Sequence, residues 1–356
     1  MDHELRRRAV GDQLGPLGAD AMLVTELVNV RYLTGFTGSN GQLLVTAEGA
    51  TFLTDGRYTE QARHEVAGPD RVTYRRTVRD DLPALLTGVA RLGFEAQAVT
   101  VDDHAKLGAA LGDGVALVPL TDVVERGRRV KDAEELDILR RAQAATDGAF
   151  DRILDVVSVG MSERHLARDL ERLLLEEGGD DLAFDPIVAF GEDAAEPHHD
   201  PGHRMLEEGD VIKLDFGARV EGYHADMTRT VAFGTAPTEL RKIHDVVRQA
   251  QQAGIDAVRA GATGADVDTA ARDVIADAGY GDRFVHGLGH GVGLRIHEAP
   301  WLGAGQENVL PAGSVVTIEP GIYVPGIGGV RIEDMVEVTG DGCRVLGTSS
   351  RELIEL

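Results

Sequence analysis

Cysteine is almost absent. The 356-residue chain has one, Cys343, so no disulfide can form within it, and a reducing compartment is the expectation. Basic residues are scarce too: 36 Lys and Arg stand against 60 Asp and Glu, for a net charge of −24. Nothing in that balance would neutralise phosphates, which argues against a nucleic-acid partner. No stretch approaches the roughly 20 apolar residues of a membrane span. The opening residues, Met1-Asp2-His3-Glu4-Leu5-Arg6-Arg7-Arg8, lack the apolar run of a secretory signal. A cytoplasmic protein with no membrane or nucleic-acid partner is expected.

What is present is globular in kind. Hydrophobic residues make up 43% of the chain, enough for a sizeable core, and the length calls for two domains. Ala21-Met22-Leu23-Val24, Gln42-Leu43-Leu44-Val45 and Thr51-Phe52-Leu53-Thr54 read as strands, and Tyr58 to Val66 and Leu82 to Leu92 as helices. Residues 1–124 thus form an α/β domain. The polar, basic stretch 125–131 reads as a linker, and 132–356 as a second domain. Asp132 is placed to cap a long helix reaching about Val157, with Glu134 and Glu135 complementing its dipole.

The second domain carries a faint internal repeat. Gly160, Ser162, Leu166, Leu170, Leu174 and Gly178 match Gly261, Thr263, Val267, Ala271, Ile275 and Gly279. Each copy reads as an amphipathic helix ended by glycine. Further on, Val211-Ile212-Lys213-Leu214-Asp215 parallels Val315-Val316-Thr317-Ile318-Glu319, so each copy delivers a carboxylate at a strand end. Gly217 and Gly222 permit a reversal that brings Asp226 back beside Asp215. Gly321 to Gly329 reads as a turn region that brings Glu333 back beside Glu319.

Asp215, Asp226, His290, Glu319 and Glu333 are therefore the candidate ligands. Any one Asp or Glu is ordinarily an exposed charge; the set carries the signal. Four crowded carboxylates repel one another, and two divalent cations would cancel them. Asp215 would hold one metal, His290 and Glu319 the other, with Asp226 and Glu333 bridging at a separation of about 3.5–4 Å. Mixed oxygen and imidazole donors suit Mn²⁺, then Co²⁺, Zn²⁺ or Fe²⁺, and such a pair can activate water for amide hydrolysis. The glycines around His286 and His290 disfavour a helical zinc pair there. His297, and His198 with His199, are candidates for orienting substrate or moving protons. His3, His64, His104, His165 and His244 read as surface residues. Arg331, two residues before Glu333, shares its strand face.

The ordered motifs Leu-Asp-Phe-Gly (214–217), Tyr-His-Ala-Asp-Met-Thr-Arg-Thr (223–230), His-Gly-Leu-Gly-His-Gly-Val-Gly (286–293), Ile-Glu-Pro-Gly-Ile-Tyr (318–323) and Val-Arg-Ile-Glu-Asp (330–334) resemble the pita-bread metallopeptidases. The Xaa-Pro branch, prolidase and aminopeptidase P, is the nearest likeness. Asn29 to Asn40 and Leu53 to Tyr58 are similar to that branch as well. The resemblance implies a creatinase/prolidase-like α/β domain followed by a pita-bread domain with pseudo-twofold repeat. It implies the five ligands named above, a catalytic set of His198, His286, His297 and Glu319, and roles near the site for Arg331 and Tyr323. It further implies proline-containing di- or oligopeptide substrates and a homodimer. Arg295 departs from the usual pattern and is either a candidate for a substrate carboxylate or merely exposed. Two other readings stand beside this one: a creatinase-like amidinohydrolase and a non-catalytic peptide binder.

Overall fold

The computed structural model describes residues 1–356, which divide into two compact units, Met1–Arg128 and Arg129–Leu356. Residues 125–131, expected as a linker, contain a short helix, Glu125–Arg128, that belongs to the first unit.

The first unit is built on a six-stranded mixed sheet. Its order is Asp70–Tyr74, Ala50–Asp55, Gln42–Thr46, Ala21–Val24, Arg91–Glu95 and Ala116–Leu120. Ala21–Val24 lies inside the sheet, and all four of its residues are buried. That explains a continuous apolar run in place of an alternating one. The helix expected over 82–92 is corrected. The helix there spans Val78–Leu85, and Arg91–Glu95 is a strand parallel to both of its neighbours. Gly88, at φ +85, breaks the helical path. Leu92 and Phe94, two apart, then serve the sheet rather than a helix face.

In the second unit the internal repeat is physical. Two 14-residue helices, Glu163–Glu176 and Gly264–Asp277, are capped by the side chains of Ser162 and Thr263. Both caps also form isolated antiparallel bridges, Ser162 with Met205 and Thr263 with Val309. The long helix Ala133–Leu154 starts at Asp132, which exchanges hydrogen bonds with Glu135 in a capping box.

Each half then contributes a long antiparallel hairpin. Val211–Phe216 pairs with Met227–Ala232, and Ala218–Val220 with Tyr223–His224, all in one register. In the second half Val315–Ile318 pairs with Asp334–Val338 and Gly321–Val324 with Gly328–Arg331, again in one register. The region expected as a turn between Gly321 and Gly329 is therefore mostly strand. Ile322 and Val330 are fully buried there, and that burial extends the pairing. The two hairpins meet where the Glu333 amide donates to Thr228 O (3.1 Å).

Strand periodicity sorts the side chains. Ile212, Leu214 and Phe216 join one apolar cluster with Leu166, Leu170 and Leu174 of the first repeat helix. Val316, Ile318, Val330 and Ile332 join another with Val267, Ala271 and Ile275 of the second. Each fully buried Leu, Ile or Phe contributes about 1.5–3 kcal/mol. The alternate residues are left for the opposite face.

His244, expected at the surface, is instead only 2% exposed on the helix Thr238–Ala257. His3 is half-buried, its ring bonded to Tyr32 O, whereas His64, His104 and His165 are exposed. Burial pushes the His244 imidazole down to about 4, from an ordinary value of 6.5. The unfolded chain thus takes up this proton first as pH falls. The stability held by the neutral ring is full above pH 6.5 and is lost toward pH 4, by about 3 kcal/mol. His244→Leu should flatten the loss over that window, as read by urea unfolding at pH 7 and pH 4.5. An unchanged pH dependence would refute it. No helix is long and apolar enough to cross a membrane.

Candidate metal centre

The five candidate ligands converge on one cavity of about 620 Å³. Strand alternation supplies four of them. Asp215 shares a face with Lys213, Asp226 with Thr228, Glu319 with Thr317, and Glu333 with Arg331, while the residues between them pack against the helices. The expected side-by-side pairing of Asp215 with Asp226 is corrected by the register. Thr228 lies opposite Asp215, and Asp226 sits two residues further along the same face. The reversal at Glu221–Gly222 sets that offset. In the second half one register runs on either side of the interruption at Glu319 and Glu333, so these two do face each other.

The fifth donor comes from the strand Gly289–Gly291, which lies between Glu298–Leu302 and Val315–Ile318. A Cβ on Gly289 would stand 2.1 Å from Thr317 O, so only glycine lets this strand come close enough. The His290 Nδ1–H donates to Gly291 O (3.0 Å), which turns Nε2 toward the acids. Nε2 lies 3.3 Å from Glu319 Oε1 and 3.6 Å from Asp226 Oδ2. Donor atoms of Asp226, His290 and Glu333 all lie within 4.8 Å of one another.

The electrostatics are those of a site with too much negative charge. Burial, then Asp215, pushes the Asp226 carboxyl well above the carboxylate range; burial, then Asp226 and Glu319, does the same to Glu333. His290 rises to about 9: burial alone would lower it, but Glu319 and Asp226 outweigh that. Glu319 is held down to about 2 because its bond to His290 overcomes its burial. Asp215 Oδ1 and Glu333 Oε1 are buried without any hydrogen-bond partner. Buried orphan oxygens beside crowded acids and a directed imidazole are what divalent cations would satisfy, so the donor set fits them.

A polar network backs the acids. Arg331, 2% exposed, bonds Asp215 Oδ2 through Nη2 and Thr228 Oγ1 through Nε (3.0 Å); its Nη1 reaches Tyr323 Oη (2.8 Å) and Pro197 O (3.0 Å). Thr228 Oγ1–H in turn donates to Glu333 Oε2 (2.7 Å). Arg331 thus steadies Asp215, while Thr228 steadies Glu333 of the other hairpin. Tyr323 Oη lies 2.9 Å from His286 Nε2, and His286 Nδ1 bonds Gly287 O. Burial lowers His286 and raises Tyr323 to about 12, so at neutral pH the phenol donates to a neutral ring. The His297 ring packs edge-on against His290 at 4.4 Å and is lowered by burial and by that neighbour. His198 and His199 line the cavity as well. Arg295 is exposed and is not among the cavity-lining residues.

Residues 137–340 match the model of metallopeptidase family M24. The chain belongs to that family. Residues 6–130 match the creatinase/prolidase N-terminal domain. The chain is 42% identical over 346 residues to the uncharacterized peptidase YqhT of Bacillus subtilis, covering 96% of this chain and 97% of that one. Among solved structures it resembles an Xaa-Pro dipeptidase from Bacillus anthracis, with TM-score 0.97, 38% identity and full coverage of both chains. It also resembles an X-Pro aminopeptidase from Thermotoga maritima, with TM-score 0.90 and 34% identity, covering 95% of this chain and 98% of that one. The fold is thus the mixed α/β arrangement of the M24 peptidases, and divalent metal ions go with the family.

Sequence reasoning passed over three residues of this M24 site. Thr228 ties Arg331 to Glu333, and its place two residues after Asp226 was the available signal. Trp301, the one tryptophan, lies opposite His290 in register and lines the cavity with Phe184, Ile187 and Leu302. Lys213 is wholly buried two residues before Asp215; a lysine inside an apolar strand was its signal.

Proposed function

We propose that this chain hydrolyses the peptide bond before proline in short peptides, with two divalent cations held by Asp215, Asp226, His290, Glu319 and Glu333. The observation that carries the reading is the convergence of these five donors on one cavity, two of them with unsatisfied buried oxygens. The names of the similar dipeptidase and aminopeptidase supply the bond. The oxygen-rich donor set puts Mn²⁺ ahead of Co²⁺, Zn²⁺ and Fe²⁺. When bound, the cations supply positive charge that polarises the scissile carbonyl and acidifies water.

The chain's own groups do the rest. The Glu319 carboxylate takes a proton from water and delivers it to the proline nitrogen, a tertiary amide nitrogen that must be protonated to leave. His297 and His198 donate to the carbonyl oxygen as it gains charge. His286 is fixed by Tyr323 and lines the same cavity. Phe184, Ile187, Ile296, Trp301 and Leu302 give apolar walls for the proline ring and the residue before it. A homodimer rests on the likeness of the first unit to its family, and a cytoplasmic location on the single cysteine.

The test compares Leu-Pro, Leu-Pro-Ala and Leu-Ala as substrates, with Mn²⁺ and after chelation. Cleavage of either proline peptide but not Leu-Ala is expected, lost on chelation and restored by Mn²⁺. Cleavage of Leu-Pro alone assigns a dipeptidase; cleavage of Leu-Pro-Ala assigns an aminopeptidase. Undiminished hydrolysis by the exhaustively chelated protein would sink the reading.

A further inference from the structure

We propose that Lys213 is a positioning residue whose buried side chain clamps the backbone of residues 194–197 and so places His198 in the cavity. The inference rests on the role given to His198 above. Lys213 is wholly buried on the strand Val211–Phe216, and its Nζ makes no ion pair with a carboxylate. Its hydrogen bonds all go to backbone: Ala194 O (3.2 Å), Glu196 O and Pro197 O (3.3 Å). The Tyr323 ring lies 5.4 Å from the same nitrogen.

Stability alone does not account for that arrangement. A buried lysine amine with no carboxylate partner carries a desolvation cost. A methionine would fill the same space with less penalty. What the lysine achieves is local. The helical turn Gly191–Ala195 ends at this segment, leaving carbonyls without intrahelical partners. Pro197 has no N–H with which to hold its own position. The segment is therefore held through its carbonyl oxygens. Arg331 Nη1 adds a second side-chain donor at Pro197 O (3.0 Å).

The flanks are held from the other side. Glu163, 0% exposed, accepts from the Phe190 amide (2.8 Å), the Gly202 amide (2.8 Å) and His199 Nε2 (2.9 Å). His198 differs from its neighbour: its side chain is exposed and makes no hydrogen bond. Its ring position is inherited from the backbone at Pro197, and Lys213 with Arg331 fixes that backbone.

The test uses the full-length protein and the variants Lys213→Met, His198→Ala and the double variant, with Leu-Pro-Ala or Leu-Pro under saturating Mn²⁺. Lys213→Met should lower kcat by about 30- to 100-fold, with KM and Mn²⁺ affinity each within about threefold of the parent. In the His198→Ala background the same change should cost less than about threefold, because the group it positions is gone. Amide hydrogen exchange over residues 191–202 should speed up at least about tenfold in Lys213→Met while the rest of the second unit is unchanged. If Lys213→Met does not fold, Lys213→Gln, which is shorter and neutral, carries the same comparison. Parental kcat, an equal loss in both backgrounds, or unchanged exchange would each overturn the proposal. If the parent cleaves no proline peptide, the functional reading fails separately, and the exchange experiment alone decides the clamp.

Discussion

Glu333→Gln should abolish peptide hydrolysis, by about 10³-fold or more, and yet leave the metal-free protein at least as stable as the parent. The first effect follows from removing a charged donor from a site built to hold cations; about 4 kcal/mol of lost transition-state stabilisation corresponds to that factor. The second follows from crowding. Glu333 is 1% exposed, and burial with Asp226, Glu319 and Asp215 nearby holds its carboxyl well above the usual range. A group raised in this way favours the folded state while protonated. That contribution is complete below the unfolded value and is lost as pH rises through the folded one. Glutamine keeps the shape of the protonated acid without the charge, so the metal-free variant should escape the loss.

Mn²⁺ should then separate the two proteins. At about 1,000 times its dissociation constant a ligand adds about 4 kcal/mol, or roughly 10 °C in Tm for a unit of this size. The parent should show that rise and Glu333→Gln only a fraction of it. Trp301 provides the readout: it is the sole tryptophan and lies 6.3 Å, ring to ring, from His290, so paramagnetic Mn²⁺ should quench it. A parent whose Tm and fluorescence ignore Mn²⁺, or a fully active Glu333→Gln, would refute the metal centre.

Arg331→Met should do the reverse to the metal-free protein and destabilise it by about 3–5 kcal/mol, because Asp215 would be left as a buried charge without its cation. The guanidinium satisfies Asp215, Thr228, Tyr323 and Pro197 at once, and no other side chain has donors in that spread. Arg331→Lys restores the charge but not the fork. It should recover part of the stability and still bind Mn²⁺ about 10- to 100-fold more weakly. Thermal unfolding in chelator and Mn²⁺ titration of Trp301 fluorescence measure the two effects. A metal-free Arg331→Met as stable as the parent would show that Arg331 is a bystander. The opposite signs expected for Glu333→Gln and Arg331→Met test the charge imbalance itself.

The faces of the site strands were readable from alternation. Lys213 and Asp215 interleave with Ile212, Leu214 and Phe216, and Arg331 and Glu333 with Val330 and Ile332. A period of two assigns each group to one side of a strand wherever the strand lies. The same logic failed for 82–92, where Leu82, Leu85, Leu86, Val89 and Leu92 keep a helical spacing across Gly88, although the helix ends at Leu85 and a strand begins at Arg91. It also failed for His244, because one imidazole on an amphipathic helix carries no mark of which way it faces.

The amino-acid sequence by itself determined the donor types, their strand faces and the duplicated frame that presents them. Only the tertiary structure decided that Thr228 rather than Asp226 stands across from Asp215, that Arg331 reaches Asp215 in the other hairpin, and that Lys213 holds the segment before His198. Alternation is local and follows from the backbone of one strand. Register within a hairpin depends on the residue at which the chain reverses, and contact between hairpins about a hundred residues apart depends on how the halves pack; alternation along one strand encodes neither.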